Sequence, residues 1–454
     1  MSNSQTTAQT NALAVLQSNF CLVKLAGEIR VVEWQEVKSI LSGHKLGDIA
    51  FYKKAEGELL IKRFLETQSI PCDVKNTIAN FWINPQTHVF DSVAFSPIAT
   101  PSTTLNYWVG PLVPPKLGLW QLIKNYLFEV ICSRNTRSYT YLTQYLAHMI
   151  QKPHDKPGVM IILLGGQGTG KGMFFQLLQK IWPRTTLLVS DINQVVGQFN
   201  AVLERNYVIC MDEAMFSGDR KSQDRLKSLI TEKTCHIEQK YQPSRTIDSV
   251  HRFFASSNHD HFSRVEGDDR RSVFMRVSDA HQNGHIYFSK LSSTFEDENI
   301  IGAMIYDLME MDLTGFNVRN RHMTQEHDKQ KMLSLVGFER YWYEVLMTGM
   351  FMGSSYYSKP TFDEAWESGA FTSSVKLIDG YKLFDKNSQR YQTIQTQEVG
   401  EKLKRICPSL IKERRSIAYE GQKRGFLLPM LDVARTEFEK AYSISIDWDL
   451  PDEV

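Results

Sequence analysis

The chain has no long apolar run, no paired-cysteine motif and no excess of charge of one sign. No apolar stretch approaches the roughly 18 residues needed to cross a bilayer, and the opening MSNSQTTAQTNA lacks the basic and apolar regions of a signal peptide. No membrane partner is expected. The six cysteines (Cys21, Cys72, Cys132, Cys210, Cys235, Cys407) include no CxxC pair, which fits the reducing cytoplasm of a cell better than a disulfide frame. Charge balances to +1, so there is no global footprint for nucleic acid and any basic surface must be local. His251, His259 and His261 lie near one another without cysteine or Glu-x-x-His partners, and read as loop histidines rather than zinc ligands. With 454 residues, 42% of them hydrophobic and 23% charged, two to four domains with a sizeable core are expected.

What is present is chemically specific. Gly165, Gly166, Gln167, Gly168, Thr169, Gly170, Lys171 and Gly172 follow the apolar run Val159–Leu164 and precede the helix-like stretch Met173–Ile181. Strand, glycine-rich turn and helix in that order build a phosphate cradle: backbone N–H groups point inward, the helix N-terminus adds positive potential, and Lys171 reaches the terminal phosphates. This is a P-loop pattern with one departure. The position after the lysine, normally a Ser or Thr that holds Mg²⁺, is Gly172, and Met173 follows, so no hydroxyl stands at either position; Thr169 is a weak substitute. A dinucleotide fingerprint fits worse, because the glycine spacing is wrong and Lys171 would be unexplained.

A second element lies 41 residues beyond Lys171, where the apolar run Tyr207–Met211 ends in Asp212 and Glu213. A strand of a parallel sheet delivers C-terminal carboxylates to the edge where the glycine loop sits. Asp212 can then hold Mg²⁺ and Glu213 can polarise the attacking water. A third strand, His251–Ser257, ends in Asn258, which can bond both water and γ-phosphate. Asp268-Asp269-Arg270-Arg271 follow, and an arginine there suits insertion into a neighbouring subunit's site, with Arg270 favoured. Between Asp212 and Asn258, Cys235–Ile247 reads as two short strands around a turn at Tyr241–Ser244, with Lys240 near the tip.

This order resembles the superfamily 3 helicases, the AAA+ replicative motors of small viruses, phages and plasmids. The likeness is strongest to the helicase half of phage and satellite primase–helicases. It is carried by GGQGTGKG (165–172), VICMDEA (208–214), IEQK (237–240), FFASSN (253–258) and DDRRSVFMRVS (268–278), with LNYWVG (105–110) and RGFLLP (424–429) as flanking segments. It implies an α/β fold: a P-loop AAA+ core with a parallel sheet, a small N-terminal α+β and helical region, and a C-terminal winged-helix-like domain. It further implies ATP and Mg²⁺ as ligands and a ring of identical subunits, a hexamer. Single-stranded DNA would be gripped by a basic hairpin here carrying Lys240 and Tyr241. Such a protein would act in the cytoplasm of a bacterial host, with a primase as a further partner.

The expected organisation is a disordered tail over 1–12, an accessory domain over 13–104, a helical collar over 105–155 (helices Leu119–Cys132 and Ser138–Gln151), and the motor over 156–314. A linker over 315–331, a DNA-binding domain over 332–435 and an exposed acidic tail over 436–454 follow. A helix Phe295–Leu313 closes the motor. The accessory domain is too short, and too poor in paired acidic motifs, for a polymerising primase. In the C-terminal domain the helices Val375–Phe384 and Thr396–Ile406 precede strands at Ser416–Tyr419 and Gly425–Leu428. Residues 376–428 hold 12 Lys/Arg against 6 Asp/Glu, with Arg414, Arg415, Lys423 and Arg424 around the wing, where duplex phosphates would be met. The function expected is an ATP-dependent replicative DNA helicase of a phage, satellite or plasmid; an origin-binding initiator ATPase and a weakly hydrolysing structural ring are the alternatives.

Overall fold

The computed structural model describes residues 2–25, 27–41, 49–213, 220–238, 244–258, 269–321, 324–353, 361–385, 395–417 and 421–448. The chain divides into two compact units, residues 1–259 with 271–322, and residues 260–270 with 323–454. The expected accessory domain, collar and motor therefore share one unit, apart from residues 260–270 of the motor.

That unit opens with helix α1 (Ser2–Asn19), where disorder was expected over 1–12. Composition misled here: Ala12 and Leu16 are fully buried, and tertiary packing rather than propensity holds such a helix. Strands β1 (Phe20–Leu25) and β2 (Glu28–Glu33) pair antiparallel across a turn at Gly27 (φ 82°), and β3 (Val89–Phe90) runs parallel to β1. Helices α2 (Trp34–Leu41), α3 (Lys54–Thr67) and α4 (Val74–Ile83) complete the lobe. Alternation with period two sends Cys21, Val23 and Val32 into one apolar cluster and Phe20, Leu22 and Val31 into another, so both faces of the small sheet are covered. Two short parallel strands follow, β4 (Ser92–Ala94) and β5 (Thr104–Asn106).

The helix expected over Leu119–Cys132 is two pieces, α5 (Gln121–Asn125) and a π-helical turn, Tyr126–Ile131, whose Tyr126, Leu127, Val130 and Ile131 are all buried. Helix α6 (Thr136–Gln151) starts where the Asn135 side chain accepts the Ser138 N–H at 2.9 Å. The central sheet comprises β6 (Met160–Leu164), β7 (Thr186–Val189), β8 (Val208–Met211) and, beyond a separate antiparallel hairpin of β9 (Thr234–Ile237) and β10 (Arg245–Asp248), β11 (Arg252–Ser257) and β12 (Ser272–Arg276). Its order is β12-β6-β11-β8-β7 and every pairing is parallel. Every residue of β6, β8 and β11 is buried, as in a sheet covered on both faces. Helix α7 (Lys171–Ile181) joins β6 to β7 and buries Phe174, Phe175, Leu177 and Leu178. The helix expected over Phe295–Leu313 is Glu298–Glu310, which starts where the Asp297 carboxylate accepts the Asn299 N–H at 2.9 Å, and a separate helix, His285–Phe295, precedes it.

In the second unit the polar stretch expected as a linker contains a helix, Gln325–Leu333, capped by Thr324, whose hydroxyl accepts the His327 N–H at 3.1 Å. A helix Phe338–Thr348 precedes the antiparallel pair β13 (Met350–Gly353) and β14 (Thr361–Ala365). Then come β15 (Phe371–Ser373), helices Ser374–Asp385 and Thr396–Ile406, and a long hairpin of β16 (Ile411–Ile417) and β17 (Gly421–Leu427). The hairpin strands are longer and begin earlier than the expected Ser416–Tyr419 and Gly425–Leu428. The sheet order is β15-β17-β16, all antiparallel, over a core that includes Trp342, Tyr381, Val399, Leu403 and Phe438. The helix Leu431–Tyr442 takes in the first seven residues of the expected acidic tail. Beyond it Trp448 packs its ring 6.1 Å from Tyr343 and 6.3 Å from Phe438 and donates its Nε1–H to Glu439 at 3.2 Å. Aromatic burial outweighs the acidic neighbours there. Among the described residues no helix is long and apolar enough to cross a membrane.

Candidate functional site

The glycine-rich loop leaves β6 at its C-terminal end and enters α7 at Lys171. Gly168 and Gly170 adopt φ of 75° and 99°, and a side chain there would also collide: a Cβ on Gly168 would lie 2.2 Å from Asn283 Oδ1, and one on Gly170 would lie 2.5 Å from the Phe288 ring. Glycine is required at both positions on two grounds. The Lys171 ammonium donates to the carbonyls of Gly165 and Gly166 at 2.6 and 2.7 Å, folding back over the loop. Burial pulls its pKa below the usual lysine value, opposed by the nearby carboxylates of Asp212 and Glu213. Thr169 is buried and donates its hydroxyl to Gly166 O at 2.8 Å. A Cβ on Gly172 would meet nothing within 4 Å, and Met173 is only partly buried against the core.

The sheet order sets β11 between β6 and β8, so three strand ends converge on one edge. Asp212 and Glu213 directly follow β8. The Ser256 hydroxyl donates to Asp212 Oδ1 in a short hydrogen bond, and the Glu213 N–H reaches Ser256 Oγ at 3.4 Å. Glu213 takes a left-handed φ of 51°, a strained conformation for a non-glycine residue. Asn258, just past β11, donates its side-chain N–H to Glu213 Oε1 at 2.5 Å. Lysine, two carboxylates and an amide are thus gathered at the sheet edge beside the loop.

Sequence reasoning missed the groups that hold the loop from outside. The Tyr126 hydroxyl, on the π-helical turn, donates to Gly170 O at 2.9 Å. Gln282 Nε2 donates to Gln167 O at 2.8 Å and the Asn283 N–H to Gly168 O at 3.0 Å. In a trans peptide C=O and N–H point opposite ways, so holding these carbonyls outward turns the N–H groups of Gly168, Thr169 and Lys171 inward. Ser256 had a visible signal in the Ser-Ser-Asn run; Tyr126, Gln282 and Asn283 had none.

The other sequence candidates are spread over the chain. Arg270 is exposed and falls in the second unit, whereas Arg271 is half-buried, belongs to the first and has a partner within the chain. Lys240, Tyr241, His259 and His261 lie outside the described residues. His251 lies in the connection just before β11 and is buried: it is 1% exposed, with its ring nitrogens 2.8 Å from Ser249 Oγ and 2.8 Å from Leu203 O. Its neighbour Lys156 donates to Leu229 O at 2.6 Å and to Ser249 Oγ, forming a buried polar network under the β9–β10 hairpin. On the C-terminal hairpin Arg414 stands opposite Arg424 and Arg415 opposite Lys423, so like charges face each other twice. Arg415 also lies 3.2 Å from the Glu413 carboxylate and over the Phe371 ring at 5.5 Å.

Comparison with known proteins bears on this geometry. Residues 163–271 match the model of a family of unknown function (DUF5906). Over 164 residues the chain is 30% identical to the DNA primase-polymerase of Nitratiruptor phage NrS-1, a match taking in 35% of this chain and 22% of that protein. The chain thus matches about a fifth of that relative's length. The apo structure of the NrS-1 C-terminal region superposes with a TM-score of 0.62 at 15% identity, covering 93% of this chain and 99% of that one. A second apo form of the same region gives 0.61 at 16% identity, covering 91% and 98%. These two likenesses show a shared fold over nearly the whole chain.

Proposed function

We propose that this chain is an ATP-driven motor of phage DNA replication, a helicase that moves along single-stranded DNA as a homo-oligomeric ring, a hexamer, in the host cytoplasm. The observation that carries the reading is the convergence of Lys171, Asp212, Glu213 and Asn258 on one sheet edge beside a loop whose N–H groups face inward. The likeness over 164 residues to a phage DNA primase-polymerase supports a replication setting, with a primase as the natural partner.

In this reading Gly165–Gly172, with Met173 after them, seat the triphosphate, and Lys171 leaves the carbonyls of Gly165 and Gly166 for its phosphate oxygens. Asp212, oriented by Ser256, is the residue that would hold Mg²⁺, with water and phosphate oxygens completing the shell because Gly172 offers no hydroxyl. The ion supplies neutralisation of charge on the transferring phosphoryl group. Glu213 accepts the proton of the attacking water once Asn258 turns from Glu213 to the γ-phosphate. Arg270, or Arg271, serves a neighbour's site. Lys240 and Tyr241 grip one DNA strand, while the C-terminal unit, a winged helix in this reading, meets duplex phosphates through Arg414, Arg415, Lys423 and Arg424.

The opposed basic pairs of β16–β17 favour a second reading, an origin-binding initiator whose ATPase gates assembly on duplex DNA. ATPase with and without single-stranded DNA, beside a forked-duplex unwinding assay, separates the two. A helicase is stimulated and unwinds. An initiator hydrolyses ATP without unwinding and binds one duplex sequence best, and a chain without ATPase overturns both readings.

A further inference from the structure

The segment after β12 does more than touch the glycine loop. Gln282 and Asn283 are hydrogen-bonded to the carbonyls of Gln167 and Gly168, and on either side of them stand His281 and Tyr287. These two rings are stacked, with centroids 3.9 Å apart and planes 2° from parallel. Both are only half-buried, so the stack borders solvent. Phe288 meets Tyr287 edge-on at 5.2 Å and is the ring that fills the space over Gly170. The Tyr287 hydroxyl is buried and has no hydrogen-bond partner among the described residues. Opposite, the π-helical turn is joined to the same segment: the Ser278 N–H donates to Val130 O at 2.8 Å, and the Ser133 hydroxyl donates to Arg276 O at 2.5 Å. Ser133, Arg134 and Asn283 all take left-handed φ, of 47°, 59° and 56°. Strained non-glycine backbone and a π-turn concentrated beside one loop are features that packing alone does not require.

We propose that the His281–Tyr287 stack is the seat of the nucleobase of the bound nucleoside triphosphate. The inference rests on the nucleotide reading of the glycine loop. Hydrogen bonds from Gln282 and Asn283 to Gln167 O and Gly168 O tie the segment that carries the stack to the phosphate cradle. A base extends a parallel pair of rings through its own π-face. His281 and Tyr287 are then binding residues for the base, while Gln282 and Asn283 position the loop.

The test compares binding of ATP with binding of inorganic tripolyphosphate, which has the phosphates and no base, in the full-length chain. His281→Ala and Tyr287→Leu should weaken ATP about 10-fold, within the range for loss of one stacked base, and leave tripolyphosphate unchanged. His281→Phe, which keeps a stacking ring, should retain ATP affinity and shows that the loss is not one of folding. Equal weakening of both ligands would make the segment a mere buttress, and unchanged ATP affinity in both variants would place the base elsewhere; either result overturns the proposal. Wild-type protein that binds neither ligand, or Lys171→Ala that weakens neither, instead overturns the nucleotide reading beneath it.

Discussion

Asn258 holds Glu213. The amide donates to Oε1 at 2.5 Å while the Glu213 backbone sits in the left-handed region, so the carboxylate is positioned by a neighbour at the end of the adjoining strand. Glu213→Gln should keep ATP binding and lower turnover by about 10²–10⁴-fold. Asn258→Ala should lower turnover by about 10²-fold, as for loss of one donor to a charged transition state. The double variant should fall little below Glu213→Gln alone, since the two residues act as one device. Steady-state ATPase with separately measured binding checks this; fully additive losses would show that the hydrogen bond has no part in turnover.

Gly172 is the departure from the expected phosphate loop, and the structure shows room there, with nothing within 4 Å of a built Cβ. Gly172→Ser should therefore fold with equal or slightly greater stability, since glycine in a helix costs about 1 kcal/mol relative to alanine. Its hydroxyl should lower the Mg²⁺ concentration for half-maximal ATPase several-fold, while Gly172→Ala should not. A magnesium titration of the three proteins decides it. Identical midpoints would mean that the hydroxyl cannot reach the ion.

Much of the site could be read because its parts are contiguous: the glycine run, Asp212-Glu213 and the Phe-Phe-Ala-Ser-Ser-Asn strand each announce themselves locally. The supports could not. Tyr126 and Gln282 meet the loop from 44 and 115 residues away, and nothing in their own neighbourhoods marks them. The same reasoning explains the errors of fold. Helix α1 is polar in sequence and held by two buried side chains. Asp297 was a readable cap, and it sets the helix start at Glu298, three residues past the expected Phe295.

The network under the β9–β10 hairpin predicts a pH dependence of stability. Burial pulls Lys156 down to about 7, and burial, with Lys156 beside it, pulls His251 down to about 4. An unfolded lysine titrates near 10.4 and an unfolded histidine near 6.5. Between about 7 and 10 the unfolded chain therefore binds more protons at Lys156, and between about 4 and 6.5 more at His251. Stability should rise with pH through both windows. Lys156→Met should flatten the upper slope and His251→Asn the lower one. Melting temperatures across pH, compared by slope rather than height, test this; unchanged slopes would remove the network as the source.

Arg270 and Arg271 differ in a way that selects one of them as the shared arginine. Arg270 is exposed, whereas Arg271 is half-buried and has a partner within the chain. Arg270→Ala mixed with Lys171→Ala should regain part of the hydrolysis that each lacks alone, because a mixed ring contains sites with both groups intact. Activity measured in verified mixed assemblies checks it, and absence of recovery would count against a site completed by a neighbour.

The C-terminal hairpin opposes Arg414 to Arg424 and Arg415 to Lys423, on a strand pair where direct neighbours of like charge are unfavourable. A fold that tolerates this arrangement twice gains something from it, and in the proposed function that is attraction to duplex phosphates. The two roles pull in opposite directions, which makes the prediction sharp. Arg414→Gln with Arg424→Gln should leave the free protein as stable or more stable, by about 0.2–0.5 kcal/mol, because a repulsion between exposed charges is removed. The same variant should bind duplex DNA more weakly, with a log–log salt slope shallower by about 0.9 for each phosphate that is no longer neutralised. ATPase stimulated by single-stranded DNA should stay near normal, since that strand is assigned to Lys240. Weaker duplex binding with an unchanged salt slope would trace the effect to altered structure instead of weaker phosphate neutralisation. Unchanged binding and slope would make the basic hairpin a solvated face, and the initiator reading would then lose the observation that favours it.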